Sequence, residues 1–253
     1  MPSKPEIIIT DDPTQLARRA AGIFMATAKD CVDQKGLFFI AISGGSTPRG
    51  MHKLLAEEPY FSGIPWSKIH IFWVDERCVP VNDPASNFGS AKKDFLDRIP
   101  IPSKQIHPMP GDFPPEQGAG KYQEEMKVIF QVNGEDFPVF DLVFLGMGND
   151  GHTASLFPGR RSVLASERWV VVVKGGSPDV YRLTLTYKLL NRAKRICFLV
   201  SGKHKALILK TVFENQDARL PAQKIQPEKG KVTWVLDKDA ASLLSKEMIR
   251  DAS

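Results

Sequence analysis

Residues 37–48 read LFFIAISGGSTP, a run of six apolar residues followed at once by a turn rich in glycine and hydroxyl groups. A strand that is apolar at every position is typical of a parallel sheet covered on both faces. A proline just behind the turn favours the start of a helix. The stretch therefore predicts a strand over 37–42 that leads through a turn into a helix over 48–55.

Further apolar runs alternate with helical patterns along the chain. They predict strands at 6–9, 69–74, 140–145, 169–173, 196–200 and 232–236, and helices at 13–34, 117–130, 205–213 and 240–250. Because strands that alternate with helices need crossover connections, we expect one open, mostly parallel, doubly wound (Rossmann-like) sheet with helices on both faces. No repeat or linker-like segment interrupts the pattern, so residues 1–253 are predicted to form a single α/β domain.

The composition excludes several classes of protein. The chain is 42% hydrophobic and 25% charged, which is typical of globular proteins. The longest stretch without Asp, Glu, Lys or Arg is Gly36–Pro48, shorter than the roughly 20 residues of a membrane helix. The first residues also lack the apolar segment of a secretory signal. We therefore expect no membrane partner.

Cysteine and charge patterns narrow the remaining possibilities. The three cysteines are widely spaced, and neither C-x-x-C nor H-E-x-x-H occurs. A reducing cytoplasm is therefore expected, without a disulfide framework or metal site. The net charge is +5, but the basic residues are scattered. A nucleic-acid partner is not expected, and the surplus fits a solvated surface or the steering of an anionic small molecule.

The turn after the 37–42 strand is the first candidate site, because ligands of open parallel sheets bind beyond the carboxyl ends of strands. Gly44 and Gly45 permit close backbone approach, and Thr47 is a predicted N-cap. Free backbone N–H groups and the Ser46 and Thr47 hydroxyls would then form an anion site. The G-x-x-x-x-G-K-[ST] spacing is absent. The residues alone leave open a phosphate site or an ordinary capped turn.

The second candidate turn, GMGNDGHT over 146–153, follows the predicted strand 140–145. Its glycines spell G-x-G-x-x-G, but a dinucleotide-binding loop opens a full helix, and here Pro158 interrupts. What remains is Asp150 and His152 in a flexible turn at the ligand-facing edge. This pattern favours a general base, and a structural histidine is the alternative.

Charged residues also occur near other strand ends. Asp75 and Arg77 come directly after the predicted strand 69–74, and Lys205 opens a predicted helix after another strand. Arg182 begins the segment RLTLT. Alone, each could be a solvated side chain, and Asp75 could either contact a ligand or anchor Arg77. Together with the hydroxyl-rich turn, the three cations indicate a phosphorylated ligand.

In this order, the motifs resemble those of the 6-phosphogluconolactonase family over nearly the whole chain. The matching segments are 43–48, 75–77, 86–87, 146–158, 182–186, 205–206 and 220–222, of which 146–158 (GMGNDGHTASLFP) is the longest and most specific. The resemblance implies hydrolysis of 6-phospho-D-glucono-1,5-lactone to 6-phospho-D-gluconate in the oxidative pentose phosphate pathway. It implies neither a metal nor an organic cofactor. The oligomeric state is not encoded in any pattern.

The resemblance also implies roles for the candidate residues. His152 would act as the general base, and Asp150 would position the imidazole or the substrate hydroxyls. The phosphate would lie on the Gly44–Thr47 turn. The other implied substrate- or phosphate-binding residues are Asp75, Arg77, Arg182 and Lys205.

Two other functions remain open. Glucosamine-6-phosphate deaminase, of the same superfamily, has a loop resembling D-G-H-I-A-F-N-E-P, in which an acid after the histidine serves ring opening. This chain has TASLFP over 153–158, with no acid, which favours the lactonase. The third possibility is a non-catalytic sugar-phosphate sensor. Such proteins usually carry a helix-turn-helix first, and the presence of both His152 and Asp150 favours catalysis.

Overall fold

The structure is a computed structural model that describes residues 4–132, 136–159, 167–245 and 247–248. Short 3₁₀ turns connect several of its strands and helices. In chain order, the strands and helices are β1 (Glu6–Thr10), α1 (Pro13–Lys35), β2 (Phe38–Ile42), α2 (Ser46–Leu55), α3 (Tyr60–Gly63), β3 (Ile69–Trp73), β4 (Asp75–Arg77), α4 (Asn87–Asp94), β5 (Ile106–His107), α5 (Pro115–Phe130), β6 (Leu142–Leu145), β7 (Val170–Gly175), β8 (Val180–Leu185), α6 (Tyr187–Leu190), β9 (Arg195–Val200), α7 (Ala206–Glu214), β10 (Lys231–Asp237) and α8 (Lys238–Ala241).

Seven strands form one parallel sheet in the order β1-β10-β9-β6-β2-β3-β5. The chain moves outward from β2 through β3 to β5, then returns to the centre and moves outward the other way from β6 through β9 to β10. The direction of winding therefore reverses between the neighbours β2 and β6. The predicted α/β class with a doubly wound parallel sheet is confirmed.

Helices cover both faces of this sheet. Phe38 of β2 lies in an edge-to-face contact with Phe24 of α1, with ring centroids 5.7 Å apart. The next residue, Phe39, contacts Phe130 of α5 at 4.5 Å. Successive residues of a strand point to opposite faces, so α1 and α5 lie on opposite sides of β2. The unbroken apolar run is explained by this double burial.

A second sheet, which the sequence analysis did not predict, has the antiparallel order β4-β8-β7. The run 169–173 was expected in the parallel sheet, but it forms part of β7 and pairs with β8 instead. Residues 75–77 were expected to follow a strand, and they form β4. Periodicity shows how a strand is buried and not which strand it pairs with, so the prediction of one sheet was wrong in this respect.

Several helix boundaries differ from the prediction. Helix α2 begins at Ser46 with Gly45 as its N-cap, at φ 95°, so Thr47 is not the cap. Lys205 ends a 3₁₀ turn, and α7 begins at Ala206. The helix predicted over 240–250 ends at Ala241; residues 242–245 do not continue it, and 249–250 lie outside the described residues. No helix of the described chain has the length and hydropathy needed to span a bilayer.

Helix α2 buries the imidazole of His52 completely, stacked on Phe95 with ring centroids 5.1 Å apart. Burial lowers the pKa of His52 from 6.5 to about 4, although the Asp94 charge acts in the opposite direction. The unfolded chain therefore binds this proton at a higher pH than the folded chain does. The contribution to stability is complete above about pH 6.5 and is lost as the pH falls towards about 4.

We expect the free energy of unfolding to fall by about 3 kcal/mol between pH 7 and pH 4 on account of His52 alone. In urea titrations at several pH values, His52→Gln should therefore show a weaker pH dependence than the wild type. His204→Gln, at an exposed position, is the control, because it leaves the buried imidazole in place. Equal pH dependence in the His52→Gln variant and the wild type would contradict this assignment.

Candidate active site

The two candidate turns lie side by side, because the first follows β2, the second follows β6, and these strands are neighbours where the winding reverses. Ligands of doubly wound sheets bind at this position. The Ser43 hydroxyl donates a hydrogen bond of 2.8 Å to the Phe144 carbonyl and ties the first turn to β6. A cleft with a volume of about 230 Å³ lies between the turns.

This cleft brings together nearly all of the residues that the sequence analysis singled out. Asp150 is the exception, and it reaches the cleft through its hydrogen bond to His152. The predicted residues that line the cleft are Gly44, Gly45, Ser46, Thr47, Asp75, Arg77, His152, Arg182 and Lys205.

The imidazole of His152 is oriented by Asp150. Its Nδ1 lies 2.6 Å from Asp150 Oδ1, which also accepts the His152 backbone N–H at 3.1 Å. Partial burial acts to raise the pKa of Asp150, but the N–H groups and charge of His152 outweigh it, so the pKa lies below its usual value. The ionised carboxylate can only accept. Nδ1 therefore carries a proton, and whenever the ring is neutral Nε2 keeps a lone pair that can accept one.

Gly148 allows the imidazole to lie against the backbone of its own turn. A Cβ atom at this position would lie 2.1 Å from His152 Nδ1 and 2.8 Å from Asp150 Oδ1. The Gly148 N–H also donates to the His152 carbonyl at 2.8 Å. The glycine that suggested a nucleotide loop thus provides space for the histidine.

The first turn ends at the N-terminus of α2. The first intrahelical bond runs from the Arg49 N–H to the Gly45 carbonyl, so the preceding N–H groups have no acceptor within the helix. A Cβ at Gly44 would lie 1.9 Å from Asn87 Oδ1, so this position requires glycine. Unpaired N–H groups at a helix N-terminus favour an anion.

Arg182 and Arg77 lie opposite each other on paired strands β8 and β4. Arg182 is only 4% exposed, and its guanidinium donates to the carbonyls of Gly175 and Pro178 at 2.7 and 3.2 Å. Arg77 donates to the Ala85 carbonyl, and its buried Nε has no partner. Burial, followed by the charge of Arg77, lowers the pKa of Arg182. Within the described part of the chain, neither arginine forms an ion pair.

The third cation, Lys205, lines the same cleft. Its Nζ donates to the Met147 carbonyl at 2.7 Å. Burial lowers the pKa of Lys205, and the charge of Asp150 acts against this effect. No ion pair of Lys205 occurs among the described residues. The cleft therefore carries three cations without a carboxylate partner, an arrangement suited to a phosphate group.

The acids of β4 have separate roles. Asp75 lines the cleft, and its carboxylate accepts hydrogen bonds from Ser155 Oγ at 2.6 Å and Asn87 Nδ2 at 3.3 Å. Glu76 accepts the backbone N–H of Arg77 at 2.7 Å. Burial raises the pKa of Glu76, although its backbone hydrogen bonds act to lower it. The backbone of Arg77 is thus held by Glu76, and no contact with Asp75 is needed to explain its position.

Several side chains of the cleft and its support were missed by sequence reasoning. Asn87 and Ser155 fall inside the motifs quoted above, but their contacts with Asp75 span 12 and 80 residues. No local pattern reveals such contacts. Ser201 and His204 also line the cleft, and their positions beside Lys205 are the only signal for them.

Comparison with known proteins identifies the family of the chain. The model of the family "Glucosamine-6-phosphate isomerases/6-phosphogluconolactonase" matches residues 11–234. The chain belongs to this enzyme family. The resemblance inferred from the motifs is confirmed.

Known relatives match the chain over most or nearly all of its length. The chain is 40% identical to a 6-phosphogluconolactonase of Synechocystis, covering 95% of this chain and 98% of the relative. It is 42% identical to a 6-phosphogluconolactonase of Haemophilus influenzae, covering 81% and 87%. The solved structure of a 6-phosphogluconolactonase from Trypanosoma cruzi, 30% identical, has a TM-score of 0.85 and covers 97% and 98%.

We expect Gly148→Ala to displace the His152 ring, because the added methyl group would lie 2.1 Å from Nδ1. In ¹H–¹⁵N spectra of the histidine side chains, the Nδ1–H resonance bonded to Asp150 should shift or disappear. Gly120→Ala is the control, since a methyl group on that exposed face of α5 meets no atom within 4 Å. An unchanged His152 resonance in Gly148→Ala would show that this glycine does not set the ring position.

Proposed function

We propose that this chain hydrolyses 6-phospho-D-glucono-1,5-lactone to 6-phospho-D-gluconate, in the oxidative pentose phosphate pathway and in a reducing cytoplasm. One observation carries the proposal. A histidine with its Nδ1 hydrogen-bonded to a carboxylate shares one cleft with three cations that form no ion pair within the described ranges of the chain. The relatives named 6-phosphogluconolactonase, at 40% and 42% identity, support the same reaction.

The chemistry at His152 follows from its tautomer. Nε2 takes a proton from water while the water oxygen attacks the lactone carbonyl. The ring C–O bond then breaks, and the proton returns to the leaving ring oxygen, giving a carboxylic acid that ionises and a free hydroxyl. Asp150 fixes the ring and stabilises the imidazolium formed on the way. General-base assistance of this kind contributes about 10²–10⁴-fold.

The phosphate group of the substrate binds at the other end of the cleft. The N-terminus of α2 supplies backbone N–H groups, and Arg77, Arg182 and Lys205 supply charge. Asp75 is an acceptor that suits a sugar hydroxyl, since a carboxylate repels phosphate. The three cations outweigh the Asp75 carboxylate, which favours a dianionic ligand.

The histidine turn also argues against amino-sugar deamination. The segment after His152 carries no acid: Thr153 donates to the Gly146 carbonyl, and Ser155 donates to Asp75. A relay that opens a sugar ring needs a carboxylate there, whereas lactone hydrolysis does not.

We expect the protein to accelerate the decay of the lactone generated in situ by glucose-6-phosphate dehydrogenase. The measurement is base uptake at constant pH, with spontaneous hydrolysis subtracted. Glucosamine 6-phosphate, tested in parallel for ammonia release, should give none. Ammonia release from glucosamine 6-phosphate without faster decay of the lactone would identify a deaminase. Inactivity on both substrates with retained binding of 6-phosphogluconate would identify a sensor.

We expect His152→Gln to lower kcat by about 10²–10⁴-fold with little change in product affinity, because the base is lost and the phosphate site is kept. Wild-type kcat should decline at acidic pH, since a protonated imidazole has no lone pair to accept the proton. The variant's residual rate should not share this profile. A folded His152→Gln protein with near-wild-type kcat would remove His152 from the mechanism.

We expect Arg77→Ala, Arg182→Ala and Lys205→Ala to act mainly on KM, because the phosphate lies away from the reacting carbonyl. A lost charge-assisted hydrogen bond of about 1.5–3 kcal/mol corresponds to roughly 10–150-fold weaker binding. Calorimetry with 6-phosphogluconate measures this directly. Lys121→Ala, on α5 and away from the cleft, is the control. Wild-type product affinity in all three variants would refute the phosphate assignment.

A further inference from the structure

Phe157 does not line the cleft, but its ring contacts two residues that do. Its ring centroid is 4.9 Å from that of the His152 imidazole, at an angle of 53°. The Arg182 guanidinium carbon lies over the same ring, 5.8 Å from its centroid. One half-buried ring therefore contacts both the group assigned to proton transfer and a cation assigned to phosphate.

The hairpin between β7 and β8 completes this contact. A Cβ at Gly175 would lie 3.4 Å from the Phe157 ring, and the Gly175 carbonyl accepts the Arg182 Nε–H. A Cβ at Gly176 would lie 2.5 Å from Arg182 Nη2. The ring, the hairpin tip and the guanidinium thus pack as one unit that ends at His152.

We propose that Phe157 is a positioning residue that fixes the His152 imidazole and the Arg182 guanidinium relative to each other, so that phosphate binding and proton transfer both depend on this one side chain. This proposal rests on the function proposed above. Phe157 would act through both residues and would not contact the substrate itself.

The chemistry of the contacts explains why an aromatic ring serves here. Asp75, Glu76 and Asp179 all exert an attractive field on Arg182. An ion pair with any of them would neutralise the cation that the phosphate needs. The ring face and two backbone carbonyls attract the guanidinium through partial charges only. They hold it in place and leave its formal charge available to an anion.

The first experiment compares Phe157→Leu with Phe157→Tyr in steady-state kinetics. Leucine keeps an apolar side chain but removes the ring face. We expect KM to rise about 2–30-fold as Arg182 loses its support, and kcat to fall about 2–13-fold as the imidazole loses its neighbour. Tyrosine keeps the ring and should restore both parameters. Phe113→Leu removes an exposed ring that lies under Lys121 at 4.7 Å, and it should change neither.

Two glycine variants separate the halves of the unit. Gly176→Ala, at a φ of 84° on the hairpin, displaces the Arg182 guanidinium and should raise KM with kcat kept, whereas Gly148→Ala displaces the hydrogen-bonded pair of His152 and Asp150 and should lower kcat. Only Phe157→Leu should change both parameters. A Phe157→Leu protein that loses thermal stability with both parameters unchanged, or that changes only one of them, would overturn the coupling.

Two measurements do not need turnover. Calorimetry with inorganic phosphate should show weaker binding to Phe157→Leu than to the wild type. The Nδ1–H resonance of His152 should shift in the same variant and return in Phe157→Tyr. If the wild type fails to hydrolyse the lactone, the proposed function fails, and these two measurements still decide the positioning role. Wild-type phosphate affinity with an unmoved resonance would refute it.

Discussion

The pairing of β2 with β6 is the constraint on which the rest of the site depends. These strands are distant in sequence, yet they are neighbours because the chain winds outward from the centre of the sheet twice, in opposite directions. Each strand ends in a glycine-containing turn at the same edge. The hydrogen bond from Ser43 to the Phe144 carbonyl fixes their separation. One turn presents a helix N-terminus and the other a histidine, so the proposed phosphate site and the proposed base share one cleft as a consequence of topology.

The small antiparallel sheet holds two arginines at the cleft through hydrogen bonds to backbone carbonyls. A buried cation ordinarily pairs with an acid, and pairing would cancel the charge needed for an anionic ligand. Strands β4 and β8 bring Arg77 and Arg182 to the cleft as register partners. Their guanidinium groups donate to backbone carbonyls. The neighbouring Glu76 carboxylate is occupied by backbone N–H groups of its own strand and of α4. Hydrogen bonds thus hold the arginines while their charge stays available.

The sequence predicted those features of the fold and of the candidate site that depend on residues close together in the chain. The continuous apolar run of β2 reflects burial on both faces, and glycines beside Ser46 and His152 indicate turns that approach a ligand closely. It failed where the outcome depends on a distant partner. The strand 170–175 has the composition of a parallel-sheet strand, and only its pairing with β8 makes it antiparallel. Thr47 is a good N-cap by type, but Gly45 can adopt φ 95° and starts the helix earlier.

The placement of the two aspartates shows how such a site can tolerate acids near an anionic ligand. Asp150 does not line the cleft, and its charge is compensated by the Nδ1–H and backbone N–H of His152. Asp75 does line it, but Ser155 and Asn87 donate to its carboxylate. Both acids are held by hydrogen-bond donors, and among the described residues neither forms an ion pair with Arg77, Arg182 or Lys205. A carboxylate without such donors would pair with Arg182 and close the cleft to anions. The proposed anion site therefore depends on these neutral donors as well as on its cations.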